Sequence, residues 1–515
     1  MLFNSYAFLF LFLPVVLCGY FLIGRRHQLA AALFLALASL FFYGWWNPVY
    51  VPLLLVSISV NYAVARVTGP AVARGAMTTA KVTTTIGIAF NLALLAFYKY
   101  ANFFVDNLDA VAGVGWVIPR IVLPLGISFF TFTQIAFLVD TYKGIAREYN
   151  PVHYALFVTY FPHLIAGPIL HHKEVMPQFA IASNYRPSAE NFAVGFTLFS
   201  IGLVKKCVLA DGIAPFANDV FAAAAGGEAP TLFDAWGGSL AYTLQLYFDF
   251  SGYSDMAIGL SRLFGIVLPL NFNSPYKSDS IAEFWRRWHM TLSRFLRDYL
   301  YVPLGGNRRG GLRRYVNLLI VMVLGGLWHG AAWTFVLWGA LHGFYLVINH
   351  AWRAICAHSG FHLSGRLSHV AAVTLTFLAV VFAWVFFRAG NIETALLVVR
   401  GMIGMNGVAI PAAFKPILGP LASLLESWGV LFPLGHGAQF LKRFAWIAAL
   451  LPIVFLLPNS QQILGRYRPG LNYPAQGRAW IEWRFTAGWA IAGAALAALG
   501  ILSLSRVSEF LYFQF

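Results

Sequence analysis

The chain has 515 residues, of which 59% are hydrophobic and 10% are charged. This composition excludes a string of soluble domains and predicts a membrane protein that crosses the bilayer many times. The formal net charge is +16, which in a soluble protein would suggest nucleic-acid binding. Here the basic residues occupy short loops between apolar segments, so we expect them to set the topology and contact anionic lipid headgroups, with no nucleic-acid partner.

The apolar segments predict an all-α polytopic fold. The first, residues 2–23, is followed by Arg25 and Arg26, whereas a cleavable signal peptide begins with its positive charge. We therefore expect a retained first helix with its N-terminus outside. The apolar segments of the whole chain predict roughly ten to twelve transmembrane helices, which form one domain of residues 1–515. Besides 315–349, the further apolar segments are residues 28–46, 48–65, 83–104, 121–139, 192–209, 236–264, 369–387, 444–457 and 485–504.

Residues 151–178 interrupt this pattern with prolines and a glycine. Such a sequence predicts a re-entrant or broken helix that lines a cavity. His163, His171 and His172 lie here, but their spacing is irregular and Glu174 is their only acidic companion, which argues against a metal site. We expect these three residues to be interfacial or loop histidines.

Two acidic residues lie within an apolar segment in the middle of the chain. One predicted span ends at Lys205 and Lys206, and the next contains Asp249 and Asp255. Buried carboxylates there either orient a histidine, pair with an arginine such as Arg262, or form a hydrogen-bond network between helices. The sequence leaves these alternatives open.

Residues 280–300 have the pattern of a basic amphipathic helix. Arginines occupy one face, and Ser280 with Glu283 three residues later has the pattern of a capping box. A helix of this kind normally lies along a membrane surface, so we expect one continuous interfacial helix. Its apolar face consists of Ile281, Phe284, Trp285, Trp288, Leu292, Phe295, Leu296 and Tyr299.

A histidine lies deep in the next apolar stretch, residues 315–349, which contains no Lys, Arg, Asp or Glu and follows a cluster of arginines. A helix from the start of this stretch would carry His329 roughly 20 Å beyond the basic boundary, well inside a hydrocarbon core about 30 Å thick. An ionisable group at that depth is costly and indicates a functional site. Gly325, Gly326 and Gly330 flank it and would let other backbone or a substrate approach closely.

Several motifs occur in order along the chain: P-L-G-I-S-F-F-T-F-T-Q (124–134), F-P-H-L-I-A-G-P-I (161–169), Y-F-D-F-S-G-Y-S-D-M-A-I-G (247–259), F-W-R-R-W-H-M-T-L-S-R-F-L-R-D-Y-L (284–300) and G-G-L-W-H-G-A-A-W (325–333). These motifs resemble the membrane-bound O-acyltransferase family, and most closely its bacterial branch that acetylates exported polysaccharides, typified by the alginate O-acetylation protein. The resemblance implies re-entrant or surface helices around a central cavity. It also implies that His329 is the family's membrane-buried catalytic histidine and His289 its more variable second histidine.

The resemblance further implies acetyl-CoA as the cytoplasmic donor, with no tightly bound cofactor. A histidine is suited to removing the proton of an attacking hydroxyl, and Trp328 and Trp333 would exclude competing water. Four basic side chains could receive the coenzyme A phosphates through charge-assisted contacts, although binding of lipid headgroups would explain the same residues. They are Arg286, Arg287, Arg294 and Lys277.

The same resemblance implies a bacterial inner-membrane enzyme with an exported polysaccharide as acceptor and a periplasmic acetyltransferase as partner. Two rival functions stay open. One is D-alanyl transfer to a cell-wall polymer; the other is transport of a lipid or polysaccharide precursor without bond making, because broken helices and a polar group at the midplane suit a transporter equally well.

The last eight residues, S-E-F-L-Y-F-Q-F (508–515), carry one phenol, Tyr512, among aromatic side chains. An interfacial aromatic belt is one explanation for them. The alternative is a covalent relay in which Tyr512 carries the acetyl group to a periplasmic transferase, since an aryl ester keeps an acyl group activated.

Overall fold

The computed structural model describes residues 1–113, 115–146, 149–360, 365–471, 479–504 and Leu511. These residues are largely helical and form no β-strand, which confirms the all-α class. Within them, six helical stretches are long and apolar enough to cross a membrane, and three shorter apolar helices accompany them. The six are Pro48–Ala73, Met77–Ala112, Ala189–Ala225, Gly311–His329, Arg366–Arg388 and Gly437–Leu456. The number of crossings stays a prediction.

The N-terminal third forms long apolar helices. They are α1 (Leu13–Gly24), α2 (Gln28–Gly44), α3 (Val51–Ala73), α4 (Met77–Leu95), α5 (Ala101–Ala112) and α6 (Ile127–Tyr142). A π-helical turn, Ala96–Tyr100, joins α4 to α5 without a break. Gly126 begins α6 with a φ of +69°, and a Cβ there would lie 2.6 Å from the carbonyl oxygen of Leu164. The chain therefore needs glycine at the point where α6 meets the segment that follows it.

The segment of residues 151–178 is broken into short helices, as predicted: α7 (Pro151–Thr159), α8 (Phe161–Leu164) and α9 (His172–Val175). The expectation of interfacial or loop histidines holds in part: His171 lies in the loop before α9, whereas His163 and His172 lie within short helices, and all three side chains are buried. The ring of His163 contacts the carbonyl oxygen of Phe157 at 2.8 Å. The three histidines thus lie inside the protein rather than at its surface.

A single helical stretch, Ala189–Ala225, contains α10 (Ala189–Val204), a π-helical turn (Lys205–Ala210) and α11 (Asp211–Ala225). Lys205 and Lys206 therefore lie in the middle of a helix, and the predicted end of the span at these residues is wrong. They are held there by carboxylates of α11 and of α12 (Leu232–Leu263), which packs along both α10 and α11.

The predicted surface helix of residues 280–300 is interrupted. It forms α13 (Ile281–Arg287) and α14 (Met290–Leu296), separated by Trp288 and His289. His289 adopts a left-handed backbone with a φ of +42°, which an α-helix cannot accommodate. The Ser280 side chain makes no capping hydrogen bond, so the predicted capping box does not form. Much of the segment's apolar face is buried within the protein, with Phe284, Trp288 and Leu292 among its most enclosed residues.

Two helices follow, α15 (Gly311–His329) and α16 (Trp333–Ser359). Glycines hold them close together: a Cβ on Gly326 would lie 2.2 Å from the carbonyl oxygen of Phe335, and a Cβ on Gly339 would lie 2.3 Å from that of Met322. The predicted close approach of other backbone to Gly326 is confirmed. The end of α15 is thereby fixed against the start of α16.

The C-terminal part completes the bundle with α17 (Arg366–Arg388), α18 (Ile392–Met402), α19 (Lys415–Leu418), α20 (Pro420–Ser427), α21 (Gly437–Leu456), α22 (Ser460–Ile463) and α23 (Ala487–Leu502). The buried apolar residues form two large clusters. One includes Trp328 and is drawn mainly from the N-terminal helices, α10 and α14. The other includes Trp338 and Phe387 and is drawn mainly from α11, α12, α16, α17 and α21. The end of α15 lies where the two clusters meet.

Candidate active site

His329 is the last residue of α15 and is only 7% exposed. Its ring is surrounded edge to face by Trp328, Trp338 and Phe387, with centroid separations of 4.9, 5.1 and 5.2 Å. Trp328 belongs to one apolar cluster and the other two rings belong to the second. This enclosure keeps bulk water away from most of the imidazole.

One of the two tryptophans predicted to exclude water does not lie at the site. Trp328 contacts His329, but Trp333 is 53% exposed, and its indole donates a hydrogen bond to Asn107 Oδ1 at 2.7 Å. The chain reverses at Gly330–Ala332 so that α16 packs back along α15, and the residue that reaches the imidazole is Trp338, five residues farther along. Sequence spacing alone could not indicate this reversal.

His289 lies next to His329, with 6.5 Å between the two ring centroids. Its side chain is fully buried, which corrects the expectation of a residue at a surface helix. Asn271 supports the left-handed turn: its side-chain oxygen lies 3.0 Å from His289 Nδ1 and accepts a 2.9 Å bond from the Thr291 hydroxyl. The Asn271 carbonyl also accepts a 2.9 Å bond from the Met290 amide.

Asn271 is a site residue that the sequence reasoning missed. It donates a 3.3 Å hydrogen bond to the hydroxyl of Ser254 on α12, so the polar segment of α12 reaches His289 through it. The two carboxylates of that segment have a different role. Asp255 pairs with Lys205 at 2.6 Å and Asp249 with Lys206 at 2.8 Å. Of the alternatives left open, the network between helices is the one observed.

The proposed arginine partner of those carboxylates has another contact. Arg262 pairs with Glu190 at 3.3 Å. Asp249 and Asp255 of α12 therefore contact lysines, whereas its Ser254 contacts Asn271, which lies against His289.

A cavity of about 330 Å³, here called the His329 cavity, opens beside His329. Its polar lining includes Lys99 from the π-helical turn and Ser128 from the start of α6, and its apolar lining includes Phe129 and Trp328. A second, smaller cavity shares Lys99 with it and extends to Asp106 and Arg120. The imidazole thus borders a cleft that continues toward the exposed pair of Asp106 and Arg120.

A larger cavity of about 570 Å³, here called the arginine cavity, lies along α14. Met290 and Thr291, which directly follow His289, form part of its wall. Its charged lining is mostly basic and consists of Lys173, Glu174, Arg286, Arg294, Arg297 and Asp298.

The structure brings some of the predicted donor-binding residues together and separates others. Arg286 and Arg294 line the arginine cavity, and Arg294 forms a bidentate pair with Glu174 at 2.5 and 2.7 Å. Arg287 pairs instead with Glu283 along α13. Lys277 donates a 2.7 Å hydrogen bond to the Leu457 carbonyl, and burial with the nearby Arg287 lowers its pKa.

A hydrogen-bonded group of side chains borders the arginine cavity at its α9 end. The Tyr299 hydroxyl donates to Asp140 Oδ2 at 2.9 Å, and His171 Nδ1 lies 3.2 Å from the same hydroxyl. Burial, together with the Arg294 guanidinium, lowers the pKa of His171 to about 4, so its ring is neutral at pH 7. Within the described ranges, no three His, Cys, Asp or Glu side chains converge as metal ligands. Tyr512 lies outside the described residues.

Comparison with known proteins settles the family. The model of the membrane-bound O-acyltransferase family (MBOAT) matches residues 116–389, a region that contains both histidines and both cavities' principal walls. The chain belongs to the membrane-bound O-acyltransferase family. As a family member with long apolar helices, it is a multi-pass membrane acyltransferase.

Three relatives place the chain within this family. It is 41% identical to the peptidoglycan O-acetyltransferase of Helicobacter pylori, over 100% of this chain and 98% of that protein. It is 45% identical to the probable alginate O-acetylase AlgI of Pseudomonas aeruginosa, over 79% of this chain and 75% of that protein. The teichoic acid D-alanyltransferase of Streptococcus thermophilus is 30% identical, over 44% of this chain and 57% of its own length.

Proposed function

We propose that this acyltransferase takes an acetyl group from acetyl-CoA and passes it toward an exported polysaccharide, with His329 as the general base. One observation carries the proposal. His329 borders the His329 cavity, His289 immediately precedes two residues of the arginine cavity, and the two rings are 6.5 Å apart. A donor in one cavity and an acceptor in the other would therefore meet at these histidines.

The chemistry follows from that arrangement. His329 takes the proton of the acceptor hydroxyl as its oxygen attacks the thioester carbonyl, which forms a tetrahedral intermediate. The carbon–sulfur bond then breaks, and the proton passes from the imidazolium to the departing thiolate of coenzyme A. The surrounding aromatic rings limit water, which would otherwise compete for the acyl group.

The arginine cavity is the proposed donor site. Arg294 and Arg297 are each paired with a neighbouring carboxylate, Glu174 and Asp298. Arg286 and Lys173 are cations of the same wall and suit the phosphates of coenzyme A, since a guanidinium binds phosphate oxygens through paired N–H groups. The arginines that begin α15 favour a cytoplasmic position for this side of the protein.

Charge reversal of Arg286 is expected to weaken donor binding. The Arg286→Glu variant should raise the KM for acetyl-CoA about tenfold, as loss of one charge-assisted hydrogen bond of about 1.5 kcal/mol predicts. Release of free thiol from acetyl-CoA by purified protein in detergent measures this. The matched control is Arg313→Glu, an exposed arginine at the start of α15. Equal KM values for the two variants would assign Arg286 to lipid headgroups instead.

The relatives bear on the rival functions. Membership of an acyltransferase family favours bond making over transport alone. The O-acetylating relatives are 41% and 45% identical over most of the chain, whereas the D-alanyltransferase is 30% identical over less than half of it, which favours acetyl over D-alanyl transfer. Since those relatives are named for peptidoglycan and for alginate, the acceptor class we propose is an exported polysaccharide, reached from the bacterial inner membrane with a periplasmic acetyltransferase as partner.

Tyr512 is proposed as a covalent relay between His329 and that partner. Its neighbour Leu511 is fully buried in the cluster that contains Trp338 and Phe387, both of which touch His329. The burial of Leu511 in this cluster supports the relay. Mass spectrometry after incubation with acetyl-CoA should detect a labile acetyl ester on Tyr512. Wild-type acetylation of the polymer by a Tyr512→Phe variant would exclude the relay and leave the acyltransferase assignment intact.

A further inference from the structure

Lys99 is a charged residue within the long apolar stretch Met77–Ala112. It lies on the π-helical turn Ala96–Tyr100 and lines the His329 cavity. A cation within an apolar stretch that can cross the membrane is costly unless its N–H groups have hydrogen-bond partners. Single-turn π-helices inside longer helices are frequent at functional sites.

The Lys99 ammonium contacts the end of α15 directly. It donates to the carbonyl oxygens of Trp328 and His329, the latter at 2.9 Å, and its third contact is the Ser128 hydroxyl at 3.5 Å. An ammonium group has three N–H bonds, so these contacts use its full donor capacity. Lys99 is therefore placed to hold protein atoms rather than to bind a ligand in the cavity.

The adjacent residue acts on the same helix end. The Tyr100 hydroxyl donates a 2.7 Å hydrogen bond to the carbonyl oxygen of Leu327. Lys99 and Tyr100 together therefore hold three consecutive carbonyl groups, those of residues 327–329. The last carbonyls of an α-helix have no partner within the helix, and a cation there also complements the helix dipole.

We infer that Lys99 is the positioning residue of His329, fixing the backbone of residues 328 and 329 so that the imidazole faces the His329 cavity at a constant distance and angle. The inference rests on the proposed role of His329 as the general base. It explains why a lysine stands in an apolar segment.

The inference predicts a loss of rate without a loss of donor binding. The Lys99→Met variant keeps the length of the side chain but removes the ammonium, so kcat for thiol release from acetyl-CoA should fall by about 10²-fold, the effect of misplacing a catalytic group by about 1 Å. The KM for acetyl-CoA should stay unchanged, because Lys99 does not line the arginine cavity. The Tyr100→Phe variant removes one neutral hydrogen bond, so its kcat should fall less than that of Lys99→Met.

Chemical rescue tests whether the loss of activity comes from loss of the ammonium group or from a disturbed fold. A Lys99→Cys variant treated with 2-bromoethylamine regains an ammonium on a stem of nearly the same length, whereas iodoacetamide adds a neutral amide. We expect the first reagent to restore activity and the second to leave it low, with identically treated wild-type protein as the control for Cys18, Cys207 and Cys356.

Two outcomes would overturn the inference, and they are distinguishable from failure of the proposed function. Wild-type kcat in Lys99→Met, or equal rescue by both reagents, would show that the ammonium does not position His329, while an inactive His329→Ala variant would keep the proposed function. Full activity of His329→Ala would contradict both the proposed function and the inference about Lys99.

Discussion

Replacing His329 with alanine is expected to reduce acyl transfer by at least about 10²-fold, the usual contribution of a general base. The imidazole borders the His329 cavity and is enclosed by Trp328, Trp338 and Phe387, so no solvent-exposed group can readily take its place. Thiol release from acetyl-CoA by purified protein and O-acetylation of polymer in cells measure the loss. The variant should still insert and remain folded, since the imidazole is removed beside an existing cavity.

A second buried histidine supplies the matched control. His163 is as enclosed as His329, but its ring contacts the Phe157 carbonyl and lines neither cavity. His163→Ala should lower the thermal stability of the protein while kcat per folded molecule is retained. Full polymer acetylation by His329→Ala, or an equal loss of kcat in both variants, would contradict the role of His329 as base.

Removal of the Lys206 charge is expected to be the most destabilising single change. Lys206 pairs with Asp211 at 2.7 Å and with Asp249 at 2.8 Å, and all three side chains are buried. Lys206→Met leaves two carboxylates without their cation, and breaking a buried pair in this way costs about 3–5 kcal/mol. Thermal unfolding of the detergent-solubilised protein, followed by tryptophan fluorescence, should show a large fall in Tm.

The charge explanation has its own controls. The triple variant Lys206→Met, Asp211→Asn, Asp249→Asn also removes both carboxylate charges and should recover most of the lost stability. Arg120→Met breaks an exposed pair with Asp106 and should change the Tm little, because exposed pairs contribute about 0–1 kcal/mol. A triple variant no more stable than Lys206→Met would mean that the lysine side chain matters for packing rather than for charge.

Much of the fold follows from hydrophobic periodicity, since long apolar runs form helices in a bilayer whatever lies around them. The broken segment of residues 151–178 and the close approach at Gly326 were predictable for the same local reason, from proline and glycine. The Lys205–Lys206 pair misled the prediction. Adjacent lysines usually mark the end of a membrane span. Here Asp249 and Asp255 of α12 pair with them, and this pairing depends on how α12 packs in three dimensions.

The site was predicted less completely, because its parts come from distant segments. His329 could be recognised from its depth and motif, but the turn at His289 could not, since its amphipathic pattern continues on both sides. Asn271 stabilises that turn from 18 residues away. Lys99 offered a usable signal, a lone cation within an apolar run, whose partners 229 and 230 residues away only the structure could identify.

The left-handed backbone at His289 limits which substitutions can reveal its role. A residue with a Cβ costs roughly 1–2 kcal/mol in this conformation, and the native ring lies 3.0 Å from Asn271 Oδ1; alanine would keep the Cβ and lose that contact, whereas asparagine and glycine tolerate the conformation best. The turn directs Trp288 into the second apolar cluster and Met290 to the wall of the arginine cavity. Alanine at His289 would disturb both neighbours along with the imidazole, whereas asparagine would remove the ring and preserve the turn. Mutational scans that use alanine alone will therefore overstate the chemical contribution of His289.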